Sequence, residues 1–171
     1  MAIDQIREAI DKLASTITEH PEKACAKNAA ATASLQDGLR LRVTGPRGEA
    51  IETDMPAALG GAGSAANPGW LLRAGLASCT ATVIAMRAAK LGVALDTLEV
   101  SVESESDNRG MLGLDDTVSA GLGGLRTRVR IGAAGVDGAQ LQDIVRWADA
   151  HSPVACTLRE AGEGKLDVEV V

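Results

Sequence analysis

Apolar residues recur at intervals of three and four near the start of the chain. Ile3, Ile6, Ile10, Leu13 and Ile17 fall on one stripe, and Asp4, Arg7, Glu8, Asp11 and Lys12 lie off it. That periodicity predicts an amphipathic helix. His20-Pro21 ends it, because proline disfavours helical backbone in the residue before it. The stripe is as narrow as a coiled-coil seam and too short to stand alone, so the helix is expected to pack on the main body, with a partner-binding arm as the alternative. A short further turn fits residues 21–27. The period then shortens to two. Residues 31–35 and 39–43 read as strands around an Asp37-Gly38 turn, and residues 49–54 return after Gly45-Pro46-Arg47-Gly48, which makes an antiparallel meander.

A loop of small residues, 56–66, leads to Asn67, a helix cap, and Pro68, suited to a first helical position. The helix is expected to run to about Leu91 and to stop at Gly92. Residues 74–86 carry no charge, so the middle of this helix is apolar nearly all round and is expected to be covered on several sides. The uncharged run is shorter than the roughly 20 residues of a membrane span, so a core helix and no membrane are expected. Leu98, Val100 and Val102 then alternate with Glu99, Ser101 and Glu103. Leu125, Thr127, Val129 and Ile131 alternate with Arg126, Arg128 and Arg130. Two strands paired antiparallel would set the acidic row against the basic one; an anion site on the arginines is the alternative. Residues 104–124 between them are a glycine-rich connection. Residues 139–150 form a helix with Leu141, Ile144, Val145 and Ala148 inward. Ser152-Pro153 opens a second, short helix to about Glu160, and residues 166–171 alternate as a closing strand. The order of elements is α+β, without a βαβ repeat.

Composition changes this picture in one respect. Of 171 residues, 46% are hydrophobic, yet Trp70 and Trp147 are the only aromatic ones. A core of Ala, Val, Leu and Ile gains less per residue than one with aromatic anchors, which favours burial of further surface in a homodimer. The net charge of −6 disfavours a nucleic-acid partner. Charged residues occupy the N-terminal positions where a signal peptide would need an apolar run, so a soluble, cytoplasmic protein is expected.

Candidate chemistry narrows to thiols. Cys25, Cys79 and Cys156 are odd in number and form no CxxC, and His20 and His151 are far apart, so neither a disulfide framework nor a metal site is expected. The clusters at 60–63 and 121–124 lack the spacing of a nucleotide loop, no GxSxG is present, and no cofactor is expected. Cys79 remains, either as a small buried packing residue or as a reactive thiol. It lies about three turns past Pro68, beyond the reach of the helix N-terminus. An activating cation would have to come from elsewhere in the fold.

The run Leu59-Gly60-Gly61-Ala62-Gly63-Ser64-Ala65-Ala66-Asn67-Pro68, with Leu71-Leu72 and Ala77-Ser78-Cys79 after it, resembles the OsmC/Ohr family (osmotically inducible and organic hydroperoxide resistance proteins). Ser152-Pro153-Val154 lies where that family usually has Cys-Pro-Val. The similarity covers about residues 39–171. It implies an OsmC-like α+β fold, with antiparallel sheets around a long central helix, in an intertwined homodimer. On this reading residues 1–28 are an N-terminal helical extension and residues 29–171 the OsmC-like domain. Many members reduce organic hydroperoxides. A thiolate becomes a sulfenic acid, a second cysteine resolves it, and an external dithiol reductant restores it. Cys79 matches the peroxidatic position. Ser152 stands at the resolving position, Gly69 where glutamate is common, and Arg40, Arg42 and Arg47 are candidates for the assisting arginine. Cys156, one turn beyond Ser152, is a candidate displaced resolving thiol or a packing residue; Cys25 is less suited. Two functions stay open: a thiol-dependent hydroperoxide reductase, and a non-peroxidase member binding a small hydrophobic ligand or thiol at the dimer interface.

Overall fold

The computed structural model describes residues 3–160 and 164–170. The elements in chain order are α1 (Ile3–Glu19), β1 (Thr32–Asp37), β2 (Arg40–Thr44), β3 (Ala50–Thr53), α2 (Pro68–Lys90), β4 (Thr97–Glu105), α3 (Asn108–Met111), β5 (Gly123–Gly132), α4 (Gly138–His151) and α5 (Pro153–Glu160), with 3-10 turns at Pro21–Lys23 and Ala57–Leu59. The α+β class and the long helix stand as expected. The chain divides into two compact units. One takes residues 3–7, 76–101 and the described residues from 128 onward; the other takes 8–75 and 102–127.

The first unit holds the main core. Ile84, Ala88, Val93, Leu141, Ile144 and Ala148 are buried together, and Val100, Val129, Ile131 and Trp147 pack against them half-buried. On α2 the buried positions Leu76, Thr80, Ile84 and Ala88 recur every four residues, with Ala89 beside them. They make one stripe, as i, i+4 spacing dictates. Ile84 and Ile144 are fully enclosed, each contributing about 1.5–3 kcal/mol by burial. The expectation that α2 is covered on several sides does not hold within one chain. Leu72 and Met86 lie off the stripe and are exposed, and Trp70 near the start of the helix is exposed as well.

The second unit carries the β1–β2–β3 meander. Both pairs are antiparallel, in a register that sets Arg42 opposite Ser34 and Glu52. β4 pairs with β5. Asp96 N donates to Gly132 O at one end of this pair, and Gly124 lies against Glu105 at the other, which is the antiparallel sense. The expected meeting of acidic and basic rows is seen at Glu99 and Arg130, 2.6 Å apart and exposed, where such a pair adds little stability. The connection between β4 and β5 contains α3, capped by the Asp107 carboxylate on Arg109 N.

No residue of α1 is buried. Ile3, Ile6, Ile10 and Ile17 are half-covered and Leu13 is exposed. A second sequence expectation also fails. Residues 164–170 form no strand, and Val171 lies outside the described residues. Leu166, Val168 and Val170 alternate as a strand would but are almost fully exposed. Alternation makes a strand only where an edge pairs with it, and the sheets of this chain pair within themselves.

Candidate functional site

Cys79 sits on α2 immediately before Thr80 of the buried stripe, and is half-buried. The residue it meets comes from the junction of α4 and α5. At Ser152 the backbone turns extended (φ −77, ψ 115). Pro153 opens α5, since its missing N–H is no loss in a first turn. Ser152 O accepts from Cys156 N at 2.9 Å, and Ser152 Oγ accepts a long capping hydrogen bond from Ala155 N. Fixed in this way, Ser152 is wholly buried, and its hydroxyl donates to Cys79 Sγ at 3.3 Å. The position read from the sequence as the resolving one is therefore beside Cys79 in space. It offers a hydroxyl donor to the sulfur and no second thiol.

Cys156 is turned elsewhere. Its thiol donates to Ala150 O and accepts from Arg159 Nη2, both at 3.4 Å. Arg159 also pairs with Asp149 at 3.1 Å. The hydrogen bond to Cys156 is the main influence holding the Arg159 guanidinium above its ordinary value. Partial burial opposes it, and Asp149 reinforces it. Cys25, Cys79 and Cys156 are all free, and Cys25 is exposed. Ser152 Oγ is a hydrogen-bond partner that the fold brings to Cys79 from another helix junction.

The three candidate arginines are bound to carboxylates in their own hairpin. Arg40 and Arg42 both pair with Glu52, and Arg47 pairs with Glu49 at 3.1 Å. Arg40 holds the Glu52 carboxyl below the usual carboxylate range, by hydrogen bond first and charge second. A feature the sequence reading missed lies in the same unit as the thiol. The Arg87 guanidinium sits 4.5 Å from the centre of the Trp147 ring, which stacks on His151 at 4.0 Å. His151 Nδ1 lies 2.7 Å from Trp147 O. This cation–π stack ties α2 to the end of α4 that carries Ser152. The i, i+4 spacing of Trp147 and His151 was visible in the sequence; the partner on α2 was not.

The glycine-rich loop of the second unit is closed on itself. Asp54 is buried, and its carboxylate accepts from Met55 N, Ala62 N, Ser64 N and Ser64 Oγ at 2.8–3.2 Å. The amides that could have cradled an anion are already taken by this side chain. These hydrogen bonds, those of Ser64 foremost, hold the Asp54 carboxyl below its ordinary value. A carboxyl lowered in the folded state stabilises it above the unfolded pKa of about 3.9, and that contribution is lost as pH falls through the folded value. Thermal melts between neutral pH and pH 3 should show it. Asp54→Asn should lower Tm at pH 7, on the order of 5 °C, and flatten the acid limb relative to wild type. An identical acid limb in the two proteins would refute the clasp. Among the described residues no three His, Cys, Asp or Glu side chains gather as metal ligands.

Comparison with known proteins places this geometry. The OsmC-like protein family matches residues 61–166. No curated protein matches the sequence. Among solved structures, an organic hydroperoxide resistance protein of Legionella pneumophila is 23% identical, with 79% of this chain and 91% of that chain covered and a TM-score of 0.58. An OsmC-like protein of Mycoplasma pneumoniae is 17% identical over 79% of this chain and 89% of its own, with a TM-score of 0.66. The organic hydroperoxide resistance protein OhrB of Bacillus subtilis is 23% identical over 78% and 91%, with a TM-score of 0.51. All three share the fold.

Proposed function

Because the chain belongs to the OsmC-like protein family, we propose that it works through the thiol of Cys79 as a one-cysteine reductant of organic hydroperoxides, in a reducing compartment such as the cytoplasm. The observation that carries this reading is Ser152 Oγ at 3.3 Å from Cys79 Sγ. The half-buried thiol has a fixed hydroxyl donor beside it and no sulfur partner. The Cys79 thiolate attacks one peroxide oxygen. An S–O bond forms, the O–O bond breaks, and the alkoxide leaves as the alcohol after taking a proton. The sulfur, oxidised by two electrons, is then a sulfenic acid. An external thiol attacks that sulfur, water leaves, and a mixed disulfide remains. A second external thiol releases Cys79, and the pair departs as its own disulfide.

A second reading has its own support. The partner seen at Cys79 is a neutral hydroxyl, and Arg40, Arg42 and Arg47 are held by Glu52 and Glu49. On that reading the pocket binds a small hydrophobic ligand or thiol without turnover. In either case we propose a homodimer. The uncovered α2 residues Trp70, Leu72 and Met86 and the unpaired 164–170 segment are surfaces that a second copy would cover.

One experiment addresses both points. The intact protein is treated with one equivalent of cumene hydroperoxide and trapped with dimedone. Labelled sites are mapped by mass spectrometry, and the mass in solution is read by light scattering. Dimedone on Cys79 in a particle of twice the chain mass is expected. Label on Cys25 or Cys156 with Cys79 unmodified would rule out the thiol reading, and a monomer at micromolar concentration would rule out the dimer.

A further inference from the structure

We infer that Arg87 is a positioning residue: through Trp147 and His151 it sets the hydroxyl of Ser152 against the thiol of Cys79. The inference deepens the thiol reading, on which its consequence for reactivity rests. All five residues belong to the first unit.

Arg87 is not placed for burial alone. It is half-buried beside Ala88 of the core stripe, and its Nε is shut off from water with no hydrogen-bond partner among the described residues. A buried donor left unsatisfied is costly, and a leucine would fill the space without that cost. What the guanidinium adds is direction. A cation over an indole is drawn to the face of the ring, and the planar guanidinium can lie along it. Arg87 stands 4.5 Å from the centre of the Trp147 ring. His151 stacks on the same ring at 4.0 Å, with 11° between the planes. Its Nδ1 lies 2.7 Å from Trp147 O, which fixes the imidazole over the last turn of α4.

Ser152 follows His151 directly, where the backbone leaves the helix. Between Ala148 and Ser152 no residue is buried. Burial of Ala148 and Ala155 keeps the junction near the core, but apolar contact is non-directional and sets its place only loosely. Arg159 with Asp149 ties α5 to α4. Two directional contacts run from this junction to α2, Trp147 to Arg87 and Ser152 to Cys79. They are eight residues apart on α2, about 12 Å along its axis. Two points at that spacing fix both the place and the tilt of the end of α4. The contact at Cys79 is the weaker, a 3.3 Å hydrogen bond to a sulfur, a weak acceptor while it stays a thiol. A shift of about 1 Å would break it. The stack on Arg87 therefore holds the hydroxyl within reach of the sulfur, where it would bond a thiolate more strongly than a thiol.

The test reads position directly. In Ser152→Cys, diamide takes up two electrons and the two thiol hydrogens as the S–S bond to Cys79 forms, and no hydroperoxide is involved. Closure is timed by mass spectrometry without reductant, in Ser152→Cys alone and combined with Arg87→Gln or Arg87→Lys. Arg87→Gln should slow closure about tenfold or more. Arg87→Lys keeps a cation on the ring and should stay within about threefold of the parent. A residue that only adds stability would lower Tm and leave the closure rate at room temperature as it is. With Ser152 in place, alkylation of Cys79 by iodoacetamide is read as a cycle. Arg87→Gln and Ser152→Ala should move its rate in the same direction, and the double variant should go no further than Ser152→Ala alone. Unchanged closure in Arg87→Gln, no recovery in Arg87→Lys, or additive effects in the cycle would each overturn the inference. If Arg87→Gln does not fold, Arg87→Leu, which keeps the apolar volume and buries no polar group, is read in the same way. Failure of wild type to reduce hydroperoxides would count against the thiol reading and leave the diamide result standing, so the two failures are distinct.

Discussion

Ser152→Cys is expected to close a disulfide with Cys79 after a single turnover with an organic hydroperoxide. The wild-type hydroxyl oxygen is 3.3 Å from Cys79 Sγ, and a disulfide needs its sulfurs at about 2.05 Å. The longer C–S bond and a small side-chain rotation cover the difference. The position is well held, because Ser152 is wholly buried between two helices and ordered by its bonds to Ala155 N and Cys156 N. In wild type the sulfenic acid waits for an external thiol and is open to overoxidation. In the variant the resolving step is intramolecular, so dithiol-dependent turnover should rise by roughly tenfold or more. Mass spectrometry without reductant should show the new bridge, and dimedone should no longer label Cys79. The bridge ties residues 73 apart in sequence, and a loop of that length should stabilise the oxidised variant by about 2–4 kcal/mol. Cys79→Ser in the same background should remove both the bridge and the turnover. Persistent free thiols in oxidised Ser152→Cys would refute the proposed geometry. A dominant Cys79–Cys156 disulfide in oxidised wild type would do the same, because Cys156 Sγ faces Ala150 O and Arg159 here.

Local signals account for what could be read from the sequence. The stripe of α1, the Asp37-Gly38 and Gly45–Gly48 turns, the Asn67-Pro68 start and the Ser152-Pro153 junction all depend on residues within a few positions of one another. Each appears where the pattern places it. The juxtaposition of Cys79 with Ser152 followed from family resemblance rather than periodicity, since 73 positions separate them. Two expectations failed for one reason. The closing strand and the cover over several sides of α2 require surfaces that the described residues do not supply. Apolar pattern reports that a face must be buried, not whether the same chain buries it. The arginines illustrate a different limit. Arg40, Arg42 and Arg47 were candidates for the thiol because they were cations in the right region, and the strand register that gives the first two to Glu52 was not legible from their spacing.

Gly61→Ala should damage the fold more than its size suggests. A Cβ at position 61 would stand 1.9 Å from Met55 O and 2.8 Å from Asp54 Oδ1. Neither neighbour can yield cheaply. Met55 O is backbone and accepts from Gly63 N at 3.0 Å. Asp54 is buried and holds Met55, Ala62 and Ser64. A methyl group there must either break the Asp54 clasp or move the strand end at Thr53, which is itself buried. Loss of the clasp leaves a buried carboxylate and up to three amides without partners, a cost of the kind that produces the large tail of mutational effects. The expected destabilisation is about 3 kcal/mol or more, a fall in Tm on the order of 10 °C for a chain of this length. Gly63→Ala is the control. Gly63 is in the left-handed region (φ 64) with nothing within 4 Å of a Cβ, so only conformational strain of about 1–2 kcal/mol applies. Thermal melts of the two variants beside wild type decide the matter. If Gly61→Ala melts with wild type, or no lower than Gly63→Ala, the close approach of this loop to Met55 is wrong.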